Sequence, residues 1–119
     1  ILYVGCVFWT IGYDTIYAHQ DKVDDNFLDL KSSAIFLGEK SKLAISIFYL
    51  IFFISISFLL VALNPLNIWV SFSILSFTGI HLIRQIYLLD INDPSICFTI
   101  FKSNNTIGVF VFFLFFLIF

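Results

Sequence analysis

A cluster of carboxylates early in the chain is the feature that could do chemistry. Asp14, Tyr17, Asp21 and Asp25 follow one another at intervals of three or four residues, and Asp24 directly precedes the last of them. On an α-helix this spacing places the side chains along one face. The residues before them are apolar, so the carboxylates come at the end of a helix suited to a bilayer. Four neighbouring carboxylates repel one another, and a divalent metal that also holds a phosphate group offsets that repulsion.

The residue types indicate which metal this face suits. Asp21 and Asp25 are one helical turn apart, about 6 Å along the axis, and Mg²⁺ prefers carboxylate oxygens while keeping positions open for phosphate. Lys22 and Lys31 are nearby cations that can contact a diphosphate. Zinc is disfavoured because no Cys/His set accompanies the carboxylates. An ordinary solvated helix end explains the last carboxylates but not Asp14, which lies deeper in the apolar run, where a carboxylate is costly.

The composition is that of a membrane protein. Of the 119 residues, 61% are hydrophobic and only 12% are charged, against about a quarter charged in soluble domains. A net charge of −2 provides no basic field for nucleic acid. Cys6 and Cys97 have no metal-ligand or redox spacing, and we expect free thiols. The sequence lacks methionine and begins within an apolar run, so we expect residues 1–119 to be a fragment whose N-terminal part is missing.

The apolar runs predict an all-α bundle of about four membrane helices. The first is expected to continue through the acidic face to about Asp25. Residues 43–63 carry no charge and form a full span, and residues 68–83 form the returning span after a tight turn. The last apolar run, 107–119, rises only about 20 Å, so either the chain stops a few residues early or the last helix also includes 104–106. The basic residues all lie in the two long connections, which places both on the cytoplasmic side.

The connections carry their own signals. In the first, residues 33–37 are expected to form a short amphipathic piece ended by Gly38. In the second, Asp93 followed by Pro94 is typical of a helix start. We expect a short interfacial helix there, and residues 104–106 are then expected to cap the last membrane helix.

Two sequence motifs carry a family resemblance. Residues 13–25 (Tyr-Asp-Thr-Ile-Tyr-Ala-His-Gln-Asp-Lys-Val-Asp-Asp), followed by Lys-Ser-Ser-Ala at 31–34 and by Gly38, resemble the second aspartate-rich motif of the UbiA superfamily of prenyltransferases. They are most similar to the branch that prenylates 4-hydroxybenzoate in ubiquinone synthesis. Near the C-terminus a second set resembles the last loop and helix of that branch: Gln85, Asp90, Asp93-Pro94, Cys97, Phe101, Lys102, Ser103, Asn104, Asn105 and Gly108. Asp29 departs from the glycine usual in the family, and the family's earlier Asn/Asp-rich motif is not in this sequence.

The resemblance implies the C-terminal part of a nine-helix bundle that carries half of a metal site. Mg²⁺ would bridge the two acidic motifs and the diphosphate of a polyprenyl donor. The prenyl group would then pass to 4-hydroxybenzoate, or to another aromatic acceptor such as homogentisate or a naphthoate. The resemblance assigns the metal to Asp21 and Asp25, with Lys22, Asp24 and Lys31 on the diphosphate. Asp14 and Tyr17 would orient ligands or stabilise the allylic cation.

This resemblance also sets expectations for the protein's surroundings. The bundle would lie in a bacterial inner membrane or the mitochondrial inner membrane, with its site on the cytoplasmic or matrix side. These 119 residues alone are expected to be inactive without the N-terminal half. Two rival hypotheses are a transporter subunit, which needs polar residues near mid-membrane on several helices, and a non-catalytic membrane fragment.

Other polar residues allow two interpretations each. His19 is expected to be interfacial rather than catalytic. His81, Arg84 and Gln85 share one face at the end of a span, and they either face the mouth of the site or anchor the helix at the headgroups. Trp9 fits an interfacial anchor or bundle packing.

Overall fold

The computed structural model describes residues 1–20, 38–63 and 65–118, and every regular element in these ranges is helical. The four α-helices are α1 (Leu2–Gln20), α2 (Ser41–Leu63), α3 (Ile68–Leu88) and α4 (Pro94–Ile118). A 3₁₀ turn, Gly38–Lys40, leads directly into α2. This architecture confirms the all-α bundle expected from the apolar runs.

Helix α2 shows how the apolar sequence divides between core and surface. Its buried residues recur every three or four positions, which is one helical face, and they are Ile45, Tyr49, Phe52, Ile56 and Leu60. The opposite face is equally apolar but exposed, with Leu50, Ile54, Phe58 and Val61 as its large side chains. A helix that is apolar on all sides while half its surface remains uncovered is suited to lipid.

Two of the described helices are long and apolar enough to cross a membrane, Ser41–Leu63 and Pro94–Leu117. Only 28% and 22% of their most apolar segments is buried inside the bundle, so most of this surface faces outward. Such exposure distinguishes them from the core helices of a soluble protein. Helices α1 and α3 contain more polar residues, and composition alone does not mark them as spans.

Small residues bring α1 and α2 together. Gly5 and Gly12 lie seven residues apart, on the same face of α1. A Cβ added at Gly5 would come within 2.7 Å of Ser55 Cβ, and one added at Gly12 within 2.7 Å of Tyr49 Cε1. Close backbone approach at glycine is a common way for membrane helices to pack, since lipid leaves little hydrophobic force between them.

The start of α4 confirms the predicted helix signal. Asp93 Oδ1 accepts hydrogen bonds from the backbone N–H groups of Ser95 (2.9 Å) and Ile96 (3.3 Å), and Pro94 is the first helical residue. A side-chain acceptor satisfies N–H groups that have no partner within the helix, and proline lacks the N–H that would need one.

Two of the predicted boundaries are wrong. Helix α3 continues past residue 83 to Leu88, and α4 runs without a break from Pro94 to Ile118, so residues 104–106 cap nothing. Their polar side chains suggested a helix start, but Asn104 is buried inside α4 and its amide N–H₂ donates to Ile100 O (3.2 Å) and Phe101 O (3.3 Å). The amide is thus satisfied within a continuous helix. The expected amphipathic piece at 33–37 lies outside the described residues.

The helix ends that flank the two long connections lie at the same end of the bundle, which we name the loop end. Lys42, at the start of α2, donates through Nζ to Leu89 O (3.1 Å), just after α3. Tyr17, near the end of α1, packs on Phe101, near the start of α4. The opposite end holds the tight turn between α2 and α3, where Asn67 O accepts a hydrogen bond from Ser71 N (3.0 Å).

Candidate active site

Only two of the site residues proposed from the sequence are within the described part of the chain. Asp14 is exposed on α1, and Tyr17 is 42% exposed one turn further toward the loop end. The described ranges contain no group of three His, Cys, Asp or Glu residues that could hold a metal ion. The other predicted site residues lie outside these ranges, and they are Asp21, Lys22, Asp24, Asp25 and Lys31.

Tyr17 connects the acidic face to the rest of the bundle. Its ring centroid is 4.8 Å from that of Phe101 on α4, and the Tyr13 ring contacts the same Phe101 edge-on at 5.9 Å. Two tyrosines one turn apart on α1 therefore pack on a single aromatic ring. This contact places the beginning of the acidic face against α4, at the loop end.

A groove of about 720 Å³ runs between α1 and α4 from this aromatic contact. On α4 its lining extends from Phe101 to Phe113, about 18 Å at the rise of an α-helix. The groove is polar toward the loop end and apolar further along, and its lining residues are Trp9, Tyr13, Phe101, Lys102, Asn104, Asn105, Gly108, Val109, Phe112 and Phe113. Its shape and composition suit an elongated hydrocarbon ligand with a polar head at the loop end.

A polar node lies in the wall of the groove. Trp9 Nε1 donates to Asn104 Oδ1 at 3.0 Å, and Tyr49 Oη donates to the same oxygen at 3.5 Å. The indole stacks on Phe52, with ring centroids 5.0 Å apart and planes 13° from parallel. This node joins α1, α2 and α4, and it assigns Trp9 to bundle packing rather than to a membrane interface.

Sequence reasoning missed this node because its partners are 95 residues apart. The available signal was the polar run 102–106 between apolar stretches, since a buried amide in such a run needs a partner.

Of the three polar residues at the end of α3, His81 and Gln85 contact α4, which is neither of the two expected positions. Gln85 is buried and donates through Nε2 to Ser103 Oγ (2.7 Å), and His81 Nε2 lies 3.2 Å from Ser103 O. Arg84 is exposed and separate from this contact. Gln85 and His81 thus hold α3 against α4, and Arg84 alone is free to reach the headgroups. His19 is 2% exposed, so the expectation that it lies at the interface is wrong.

These features define a class: a helical membrane bundle in which a groove between the first and last helices is polar at the loop end and apolar further along. The model of the UbiA prenyltransferase family matches residues 1–118, and the chain belongs to this family.

Curated relatives resemble the chain over nearly its whole length. It is 43% identical over 111 residues to the mitochondrial 4-hydroxybenzoate polyprenyltransferase of Bos taurus and 44% identical over 111 residues to that of Homo sapiens. The corresponding protein of Aedes aegypti is 44% identical over 115 residues. Each alignment covers 93% of this chain but only 25–29% of the relative, so the chain spans less than a third of the relatives' length. No solved structure matches it.

Proposed function

We propose that the complete protein transfers a polyprenyl group from polyprenyl diphosphate to 4-hydroxybenzoate, as a step of ubiquinone synthesis. The names of the similar proteins support this reaction. The observation that carries the proposal is the groove between α1 and α4, which starts beside the acidic face and continues between apolar walls. A donor with a charged head and a long hydrocarbon tail has the same polarity from end to end.

In this proposal the groove holds the tail and excludes water from the reacting carbon. Its apolar part, past Gly108 toward Phe112, contacts the isoprenoid chain. At the loop end Tyr13 and Phe101 present aromatic rings, whose faces attract positive charge. Positive charge develops on the allylic carbon as its bond to the diphosphate oxygen breaks, so these rings stabilise it while the dry groove protects it from water.

The acidic face binds the diphosphate. Asp21 and Asp25 would hold Mg²⁺ with Asp24 as a supporting carboxylate on the metal side, while Lys22 and Lys31 would donate to the phosphate oxygens. When bound, the metal neutralises charge on the leaving diphosphate. The C–O bond breaks with its electron pair on the diphosphate, a ring carbon ortho to the hydroxyl forms the new C–C bond, and that carbon then loses its proton.

Asp14 and Tyr17 lie between the diphosphate and the groove in this arrangement. They are proposed to orient the donor head or stabilise the allylic cation. Tyr17 is well placed for this role because its ring already packs on Phe101 of the groove wall.

The relatives' greater length bears on the metal site. This chain carries one acidic motif, and we propose that a second one, in the N-terminal part of the protein, completes the site. These 119 residues expressed alone are therefore expected to show no prenyl transfer.

The relatives are mitochondrial by name, and we propose that the protein lies in the mitochondrial inner membrane or a bacterial inner membrane. The basic connections then place the active site on the matrix or cytoplasmic side.

A variant of the full-length protein tests the proposal. Asp21→Asn removes one negative charge without changing shape, and we expect kcat to fall by about a hundredfold or more because the diphosphate loses preorganised charge stabilisation. Glu39→Gln is the matched control, since Glu39 is an exposed carboxylate on the 3₁₀ turn. Prenyl transfer to 4-hydroxybenzoate is measured with Mg²⁺ and then with a chelator. Near-normal turnover of Asp21→Asn would overturn the site, and absence of transfer by the unaltered protein would overturn the function.

A further inference from the structure

We propose that Asn104 is a positioning residue, which holds the Trp9 indole in the groove wall and thereby sets how tightly the prenyl donor binds. This inference rests on the proposed function and adds a residue to it. Asn104 is only 6% exposed, so little of it reaches the groove surface, and its main contact toward α1 is the Trp9 indole.

The hydrogen-bond geometry selects Trp9 as the partner that matters. The Nε1–Oδ1 distance of 3.0 Å is that of a well-formed N–H···O bond, whereas 3.5 Å from Tyr49 Oη is long for a hydroxyl donor. Asn104 donates both of its amide hydrogens to carbonyl oxygens of its own helix, Ile100 O and Phe101 O. These bonds fix the side-chain rotamer of Asn104, so its oxygen points toward α1 independently of the bond to Trp9.

The position of Trp9 explains why its orientation affects the groove. The indole is stacked on Phe52 on one side and touches Tyr13 edge-on, with ring centroids 5.3 Å apart. Its Cη2 atom is the nearest atom to a Cβ built on Gly108, at 3.7 Å, so the indole reaches across to α4. An indole released from Asn104 is free to turn about its side-chain bonds, and any other orientation changes the width of the groove at this point.

A bond between the two walls also fixes their separation. Trp9 belongs to α1 and Asn104 to α4, the two helices between which the groove runs. Polar bonds between helices contribute to membrane-protein packing because lipid offers the groups no other partner. Loss of this bond therefore affects the prenyl site and leaves the acidic face, which precedes it at the loop end, unchanged.

The test is a double-mutant cycle in the full-length protein. Asn104→Leu removes the acceptor, and Trp9→Phe removes the indole N–H while keeping an aromatic ring against Phe52. With geranylgeranyl diphosphate as donor, each single variant is expected to raise the KM for the donor about 5- to 30-fold, with the KM for 4-hydroxybenzoate nearly unchanged. The KM of the double variant for the donor is expected to equal that of the single variant with the higher KM, because both changes break the same bond.

Tyr49→Phe is the control, since it removes only the long contact to the same oxygen, and its KM for the donor should stay near that of the unaltered protein. Multiplying effects of Asn104→Leu and Trp9→Phe, or a fall in kcat at unchanged KM for the donor, would overturn the proposal. If Asn104→Leu does not accumulate in membranes, Trp9→Phe decides alone: a raised KM for the donor supports the proposal and an unchanged one overturns it.

A second measurement separates this inference from the proposed function. The same cycle is run on thermal unfolding in detergent without substrate, where the Trp9–Asn104 bond should appear as coupling between the two substitutions. Coupling in stability without any donor effect would make Asn104 purely structural and would overturn the positioning role. Absence of prenyl transfer by the unaltered protein, with the coupling intact, would instead overturn the proposed function.

Discussion

The close approach of α1 and α2 at Gly5 leads to a quantitative prediction. A Cβ added there would lie 2.7 Å from Ser55 Cβ and 3.1 Å from Ser55 Oγ. Carbon atoms pack favourably at about 3.5–4.0 Å, so the added methyl overlaps its neighbour by most of an ångström. Rotation of the serine side chain does not relieve this overlap, because Cβ is attached directly to the backbone. Helices α1 and α2 must therefore move apart to accept alanine at this position.

Gly108 provides the matched comparison. Within the described residues, a Cβ added there meets only Trp9 Cη2, at 3.7 Å, which is ordinary contact. Gly5→Ala and Gly108→Ala gain similar helix propensity, so the difference between them reports the overlap. We expect Gly5→Ala to be less stable than Gly108→Ala by about 1–3 kcal/mol, the usual range for overpacking.

The assay is thermal unfolding of the full-length protein in detergent, followed with a thiol-reactive dye. Cys6 is a partly buried free thiol beside Gly5, so both variants are made in a Cys6→Ala background, in which labelling of the fully buried Cys97 reports separation of the helices. Gly5→Ala should lower the unfolding temperature and Gly108→Ala should leave it unchanged or raise it. Equal unfolding temperatures for the two variants would refute the reasoning, because they would mean that α1 and α2 do not approach at Gly5.

Four further substitutions, at three residues, test polar contacts of α3 and α4 by the same assay. Asp93→Ala removes the acceptor of two backbone N–H groups and should destabilise the protein by about 0.5–2 kcal/mol, whereas Asp93→Asn, which keeps an oxygen there, should cost less. Ser103→Ala leaves the buried Gln85 amide without its 2.7 Å partner and should cost about 1–3 kcal/mol. Gln85→Leu should cost less, because it also removes Gln85 Oε1, a buried oxygen with no hydrogen-bond partner among the described residues. Equal losses of stability in Ser103→Ala and Gln85→Leu would contradict this explanation.

The helices were predictable from the sequence because their signals are local. An uncharged run such as 43–63 specifies a membrane-length helix by itself, and Asp93-Pro94 specifies a helix start from adjacent residues. The errors arose where the deciding partner is distant in sequence. Asn104 suggested a cap when considered with its neighbours, but it lies inside the continuous helix α4, where its oxygen accepts a hydrogen bond from Trp9 on another helix.

The candidate site was also proposed from a local pattern. The role of the acidic residues stays a prediction, but their spacing can be recognised in the sequence without any other element. The groove cannot, because its walls come from the two ends of the chain, α1 and α4. The pairing of Tyr13 and Tyr17 with Phe101 likewise depends on how two helices pack, which no local spacing encodes.

The polar contacts of α4 indicate how the groove keeps its shape. Asn104 bonds α1 and Ser103 bonds α3, so two consecutive residues join this helix to neighbours on different sides. Both contacts lie toward the loop end, whereas the deeper groove residues, Val109 and Phe112, are apolar. Since interhelical polar bonds and close packing carry much of the association of membrane helices, the groove walls are fixed most firmly beside the acidic face. A reaction that needs the donor's first carbons held still, and only a dry apolar surface for the rest of the tail, requires rigidity at that end.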